Sequence, residues 1–589
     1  MQVIEHKIPN ITTPQKFFVE KGVELLYRGS IDSYRVRVKS PKSILEELRT
    51  CLTEFEIGKI KHFQTIAGHK DVPSLKEEAI ALVNKEKNYL KFNSFSKDYF
   101  IDQLRGLSET GYKQVRNCIS FVLRENENYL NELIAILKEV LLKELEPQER
   151  LDARLTEIDK ITNILFTELI DKGYSKNFLY RFFTAVFVNN PKPTFAECMV
   201  EIEEISKCIK RDYEICFRLQ SSDKVKEALK FFGDNIRLIN DLKEIITIES
   251  KEFARFSKQA DNVTFIIISI KALDHFSALR KAKITISENM DLLHLGFADQ
   301  YLNLNNRALV IDKDNPEGAN FQIIENFLDG MYKAAKEHYQ SLIDKVPTIF
   351  QDNKIKSETR EKIKAAIRYL RLGNEAFEVE HKFINYWIGI EYLFSNYDSQ
   401  STINRVKEFL VKSHAVIYIK RNLTDFYKDV KKTGKQGELE KFTVNDQSCL
   451  LNREFYKEVG AKFTDSFPLI AYRARKFEKL LFEKSTLKDY IEYHQLNLTI
   501  HLTRIYRIRN EIIHDAATDS SNENITANLR YYLTFMLNAV IDYFSKTADT
   551  NVGIEDFFIL QEIRLGNIIR NGYVLSDFMV VESSIDFIN

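Results

Sequence analysis

The chain has 589 residues, 44% hydrophobic and 29% charged. This excludes a disordered chain and is too long for one hydrophobic core, so two or three domains are expected. Lys+Arg and Asp+Glu both number 85, so no global field draws the chain to nucleic acid, and any such contact needs a local patch.

Only 10 Pro and 19 Gly occur among abundant Lys, Glu, Leu and Ile, which favours helices over sandwiches or barrels. No apolar run is long enough for a membrane span, and MQVIEHKIPN lacks a basic region followed by an apolar one. The six cysteines are scattered, with no C-x-x-C pair, and read as core thiols in a reducing compartment. A cytoplasmic protein without membrane contact is expected.

In chain order, Tyr34–Val38 reads as a half-exposed strand, and Ser40-Pro41 as the start of a helix through Leu52. The pattern is then helical to about Phe256, with clear amphipathic helices at Tyr129–Leu145 and Leu151–Lys172. Further helices are predicted at Phe195–Phe217 and Ser222–Ile248. Val263–Lys271 is β-branched and almost continuously apolar, as in a buried strand, and Ala308–Ile311 is a second short strand. A small α+β unit is therefore expected at about 261–318, and Phe321–Ile343 returns to helix. Gln351–Ser357 is the best linker, which places a domain boundary near 350. Beyond it, helices are predicted at Arg360–Arg371, Ala376–Phe394, Thr402–Ile419, Pro468–Phe482, Leu487–Ile513 and Ile525–Phe544. Asn422–Lys462 is of mixed character, and Tyr573–Ile588 is apolar and β-rich.

The stretch that holds the candidate chemistry is LNLTIHLTRIYRIRNEIIHDA, from Leu496 to Ala516. Leu498, Leu502, Ile505, Ile508 and Ile512 follow the helical period, so one face is core. Asn510 and His514 are i and i+4 and share a face, and Arg509 leaves the axis one step round. The polar, turn-rich run after Asp515 should end the helix soon after His514.

Arg509-Asn510-Glu511-Ile512-Ile513-His514 has the form R-N-x-x-x-H, and it resembles the signature of HEPN ribonuclease domains. Trp387, Glu391, Leu393 and Phe394 fit the W-x-x-x-E-x-L-F helix that precedes this motif in the Apea-like, anti-phage HEPN group. The resemblance covers about Ser357–Tyr543. It implies a mainly α protein: a C-terminal HEPN-type bundle at 351–589 and a large N-terminal sensor or regulatory region at 1–350 that contains the α+β unit. Relatives paired with nucleotidyltransferase antitoxins carry a Tyr two positions after the His. Ala516 stands there in this chain, so regulation by modification at that position is not implied.

An RNase of this kind must deprotonate a 2′-hydroxyl and protonate the departing 5′-oxygen. Histidine titrates in the right range for either step, and a guanidinium suits the charge gathered on the phosphoryl oxygens. The catalytic candidates are thus Arg509 and His514, with Asn510 orienting His514 or the phosphate. Glu391 lies in an otherwise apolar helix and needs a partner; Arg509 is that partner by the resemblance, in a catalytic or a purely structural pair. No metal or other cofactor is implied, nor is any phosphate loop, H-E-x-x-H or G-x-S-x-G motif present.

Ile403–Lys435 holds nine Lys/Arg against three acidic residues, interleaved with Tyr418, Phe426 and Tyr427, a composition that single-stranded RNA binding uses. Lys412, Lys420, Arg421, Arg504 and Arg507 are the RNA-binding candidates. The expected partners are RNA, tRNA among the candidates, a second copy through the HEPN domain, and a phage-derived trigger at the N-terminal region. The alternative is a non-catalytic HEPN-like scaffold for dimerisation or RNA binding.

Overall fold

The computed structural model describes residues 3–27, 40–63, 72–86, 88–91, 93–144, 148–221, 236–260, 262–297, 302–323, 345, 355–376, 378–396, 401–435, 437, 439, 447–483, 486–515, 523–547 and 549–570. The chain is mainly helical. It divides into two compact units: Met1–Glu168, Phe183–Met199 and Gly330–Asn589 form the first, Leu169–Phe182 and Val200–Asp329 the second. The first unit thus combines N-terminal and C-terminal helices, a division that a single cut near 350 does not produce. The cut itself, strand Tyr34–Val38, most of helix Phe321–Ile343 and the tail Tyr573–Ile588 lie outside the described residues.

The N-terminal helices are α1 (Thr13–Leu26), α2 (Pro41–Glu56), α3 (Val72–Lys85), α4 (Lys97–Arg105), α5 (Tyr112–Glu125), α6 (Tyr129–Leu142), α7 (Gln148–Asp171), α8 (Lys176–Thr184) and α9 (Phe195–Ser206). Helix α2 begins at Ser40-Pro41 as expected: the Ser40 hydroxyl accepts from the Ser43 amide at 3.1 Å, and Pro41 fills a position where no N–H is needed. In α1, Glu20 is fully buried. It meets His6 Nε2 at 3.3 Å and accepts from the Leu469 amide at 2.9 Å.

Burial pushes the Glu20 carboxyl above the ordinary carboxylate range, and these hydrogen bonds only partly oppose that. A raised acid binds its proton more tightly when folded, so its contribution is present below the unfolded pKa and is lost as pH rises through the folded one. In a His6→Gln background, which removes imidazole titration, the melting advantage of Glu20 over Glu20→Gln is therefore expected to shrink between pH 4 and pH 7. A difference that stays constant across that range would overturn the assignment.

The second unit is built on five antiparallel strands: β1 (Arg211–Ser221), β2 (Ile236–Ile239), β3 (Val263–Ala272), β4 (Leu302–Asp312) and β5 (Asn315–Ile323), in the order β2-β3-β1-β4-β5. Helices α10 (Lys251–Phe256) and α11 (His275–Phe297) complete it. Two predicted helices are corrected here. Phe195–Phe217 is helical only to Ser206, and β1 follows. Ser222–Ile248 gives β2 and a short 3-10 turn in its described part. In β1, buried Tyr213, Ile215, Phe217 and Leu219 alternate with half-buried Glu214, Arg218 and Gln220, and that period of two belongs to a strand. The α+β unit therefore starts near Arg211. On one face Cys216, Phe265, Ile267 and Leu309 pack with Leu242, Phe253 and Phe256.

Asp274 is fully buried and fixes the start of α11. Its carboxylate accepts from the amides of Phe276 (2.8 Å), Ser277 (2.9 Å) and Ser175 (2.8 Å) and from the Ser175 hydroxyl (3.0 Å). An anion at a helix N-terminus also faces the favourable end of the backbone dipoles.

The C-terminal helices are α12 (Ser357–Glu375), α13 (Val379–Phe394), α14 (Thr402–Arg405), α15 (Val411–Lys432), α16 (Arg453–Lys462), α17 (Pro468–Phe482), α18 (Thr486–Asp515), α19 (Glu523–Lys546) and α20 (Ile554–Ile569). A π-helical turn, Val406–Leu410, joins α14 to α15. All six predicted helices are present. Two were missed, α16 and α20, and α15 runs on to Lys432 through the stretch expected to be mixed. Helix α13 packs against α12 and α19 so closely that a Cβ at Gly389 would stand 2.7 Å from Leu533 Cδ2. A side chain there would have to push Leu533 aside, and glycine avoids this at a cost of about 1 kcal/mol against alanine within a helix.

Candidate active site

Two helices of the first unit carry the candidate residues. Helix α13 brings Trp387 and Glu391, one turn apart, and α18 brings Tyr506, Arg509, Asn510 and His514. Trp387, 1% exposed, packs on the Tyr506 ring with centroids 5.6 Å apart and ties the two helices together. One turn further along each helix, Arg509 Nη2 lies 3.7 Å from Glu391 Oε1. Arg509 Nη1 donates to Asn510 Oδ1 at 3.0 Å.

The pair the sequence suggested is thus formed, in a half-buried place: the side chains are 22% and 31% exposed. Such a long, partly solvated ion pair contributes only about 0–1 kcal/mol. It is a weak reason, by itself, to keep a guanidinium here.

Asn510 is buried at 2% exposure, and its Nδ2 has no acceptor among the described residues; neither has Arg509 Nε. A buried donor without an acceptor costs roughly 1–3 kcal/mol. Neighbouring residues thus hold two unpaired donor nitrogens beside a fixed positive charge. Groups of this kind can accept an anion such as a phosphate diester.

Helix α18 is described as far as Asp515, and His514 stands four residues beyond Asn510 in its last described turn; the polar run expected to stop the helix lies outside the described residues. The side chain of His514 lies outside the described residues. Among the described residues no group of three or more His, Cys, Asp or Glu is arranged to hold a metal ion.

The five expected RNA-binding residues are placed differently. Arg421 is buried and donates to the Tyr531 hydroxyl. Arg504 and Arg507 are both 4% exposed and engage Glu78 and Glu47. Lys412 donates to Glu408 at 2.9 Å and Glu562 at 2.7 Å. Lys420 is half-buried on α15. The expected aromatics are inside as well: Tyr418, Phe426 and Tyr427 are buried, and Tyr418 stacks on His494 at 3.7 Å. The expectation of a basic, aromatic surface on this stretch is corrected. Long side chains on an amphipathic helix were counted as solvent-facing when their charged ends meet carboxylates and a phenol. Lys431 and Lys432, at the end of α15, remain exposed.

His494 and His501 are buried and hydrogen-bonded among the helices. His494 Nε2 lies 2.9 Å from His414 Nδ1, His414 Nε2 lies 2.9 Å from the Tyr531 hydroxyl, and His501 Nδ1 lies 3.1 Å from the Tyr532 hydroxyl. A cavity of about 480 Å³ lies between α15, α19 and α20, with Ser413, Phe535, Tyr543 and Phe557 in its wall; Glu391, Arg509 and Asn510 do not line it.

Sequence reasoning missed Glu47 and Glu78, which carry no local signal because their partners lie more than four hundred residues away. All six cysteines are free. Among the described residues no helix is long and apolar enough to cross a membrane. No protein-family model, curated protein or solved structure matches this chain.

Proposed function

We propose that the chain is a metal-independent endoribonuclease of the HEPN type, with Arg509, Asn510, His514 and Glu391 forming the site. One observation supports this reading above the others: Arg509 and Asn510, in the motif R-N-x-x-x-H, hold unpaired N–H donors beside a half-buried guanidinium. In the reaction the 2′-oxygen attacks the adjacent phosphorus, and the bond from phosphorus to the 5′-oxygen breaks. The products are a 2′,3′-cyclic phosphate and a 5′-hydroxyl. His514 exchanges the proton with one of the two oxygens. Arg509 and Asn510 donate to the phosphoryl oxygens as charge collects there, and Glu391 holds the guanidinium in place. By resemblance the biological setting is prokaryotic anti-phage defence with abortive infection as the outcome, triggered through the N-terminal region.

One motif supplies one histidine, whereas this cleavage uses two proton transfers. A two-fold homodimer through the HEPN domain would bring a second Arg509 and His514 to the same cleft, because an isologous interface repeats one patch on both subunits.

A second reading, a non-catalytic scaffold, is favoured by the burial of Arg421, Arg504 and Arg507 in internal pairs. Incubating purified full-length protein with total RNA in EDTA, then mapping the ends, separates the two. Internal cuts bearing 2′,3′-cyclic phosphates are expected. Intact RNA, with and without EDTA, supports the scaffold; cleavage only with added Mg²⁺ or Mn²⁺ defeats the His/Arg mechanism.

A further inference from the structure

Arg509 and Asn510 sit near the end of a helix whose middle is held by buried charge. Arg504 and Arg507 lie about one helical turn apart on α18. Arg504 Nη2 donates to both carboxylate oxygens of Glu78, at 2.5 Å each, and its Nε lies 3.9 Å from Glu47 Oε2. Arg507 Nη2 donates to Glu47 Oε1, so Glu47 spans both guanidiniums. Glu78 is 6% exposed, and both arginines are 4% exposed. Glu47 belongs to α2 and Glu78 to α3. At the end of α3, Lys85 donates to the Tyr493 hydroxyl at 2.6 Å, which adds a contact further back on α18.

Apolar packing tolerates a small rotation or slide of a helix. Directional guanidinium–carboxylate pairs do not, because a shift of α18 would leave a charge buried without its partner. Arg509 is two residues beyond Arg507 on the same rigid element. We propose that Glu47 and Glu78 are positioning residues for the Arg509 site: the N-terminal helices α2 and α3 set the axial position and rotation of the motif helix through these buried pairs. The effect on catalysis rests on the ribonuclease reading above; the mechanical claim does not.

The test uses the full-length protein and the variants Glu47→Gln and Glu78→Gln, which keep side-chain volume and remove charge. Glu24→Gln is the control. Glu24 of α1 pairs with Arg473 of α17 at 2.5 Å, so that variant breaks an ion pair whose two members both lie outside α18. Amide hydrogen exchange over residues 505–515 is expected to quicken at least about tenfold in both test variants, and little in the control. If the protein cleaves RNA, kcat should fall about 10–100-fold with KM nearly unchanged, because the reacting groups are misplaced while binding persists. Glu47→Asp, which keeps the charge but shortens its reach, should recover part of both losses. It also replaces Glu47→Gln in the exchange test should that variant not fold. Unchanged exchange over 505–515, or an equal increase in Glu24→Gln, would overturn the proposal. A wild-type protein that cuts no RNA would defeat the ribonuclease reading, while the exchange result would still decide the positioning role.

Discussion

Arg509→Ala and His514→Ala are each expected, on the proposed ribonuclease reading, to slow RNA cleavage by about 10²–10⁴-fold, the range a single proton-transfer or charge-stabilising group supplies. Neither change should unfold the protein. The ion pair of Arg509 with Glu391 is long and partly solvated, so its loss costs at most about 1 kcal/mol. Arg509→Lys should recover only part of the rate, since an ammonium keeps the charge but not the planar set of donors. A composite cleft makes a sharper demand. Dimers with one wild-type and one His514→Ala chain should be strongly impaired, whereas half activity would mean that each protomer has its own site. Wild-type rates in His514→Ala would remove the catalytic role altogether.

The largest stability effect is expected in the second unit, at Asp274. Asp274→Ala removes the acceptor of two buried amides, one part-buried amide and one hydroxyl at once. A lost N-cap costs about 1–2 kcal/mol, and losing the bonds to the part-buried Ser175 amide and hydroxyl adds about 1 kcal/mol or more. Together they predict about 3 kcal/mol, read as a lowered denaturation midpoint and as faster hydrogen exchange in α11. Asp274→Asn keeps one acceptor oxygen and should lose less. A loss below about 1 kcal/mol in Asp274→Ala would mean that water replaces the carboxylate without difficulty.

The motif helix was legible in the sequence because its apolar residues keep a single period from Leu498 to Ile512. The pairing of Glu391 with Arg509 was legible from a different principle: a carboxylate in an apolar helix needs a cation, and the resemblance named one. β1 was misread because the helical pattern of Phe195–Ser206 was carried forward, although Tyr213–Gln220 alternates with the period of a strand. Arg421, Arg504 and Arg507 lie inside for a reason no local pattern reveals. A surface arginine and a buried, paired one look alike until the distant carboxylate is known, and Glu47 and Glu78 belong to helices far away along the chain.

That separation has a consequence for how the chain is made. Glu47 precedes Arg507 by 460 residues. At about 5–20 residues per second, a ribosome takes roughly 20–90 s to travel from one to the other. Throughout that interval α2 and α3 exist without the cations that neutralise their inward carboxylates, and the first unit cannot close. The order of synthesis thus delays completion of the Arg509 site until α18 has emerged. On the ribonuclease reading proposed above, an unfinished chain would be a safe one for the cell that makes it.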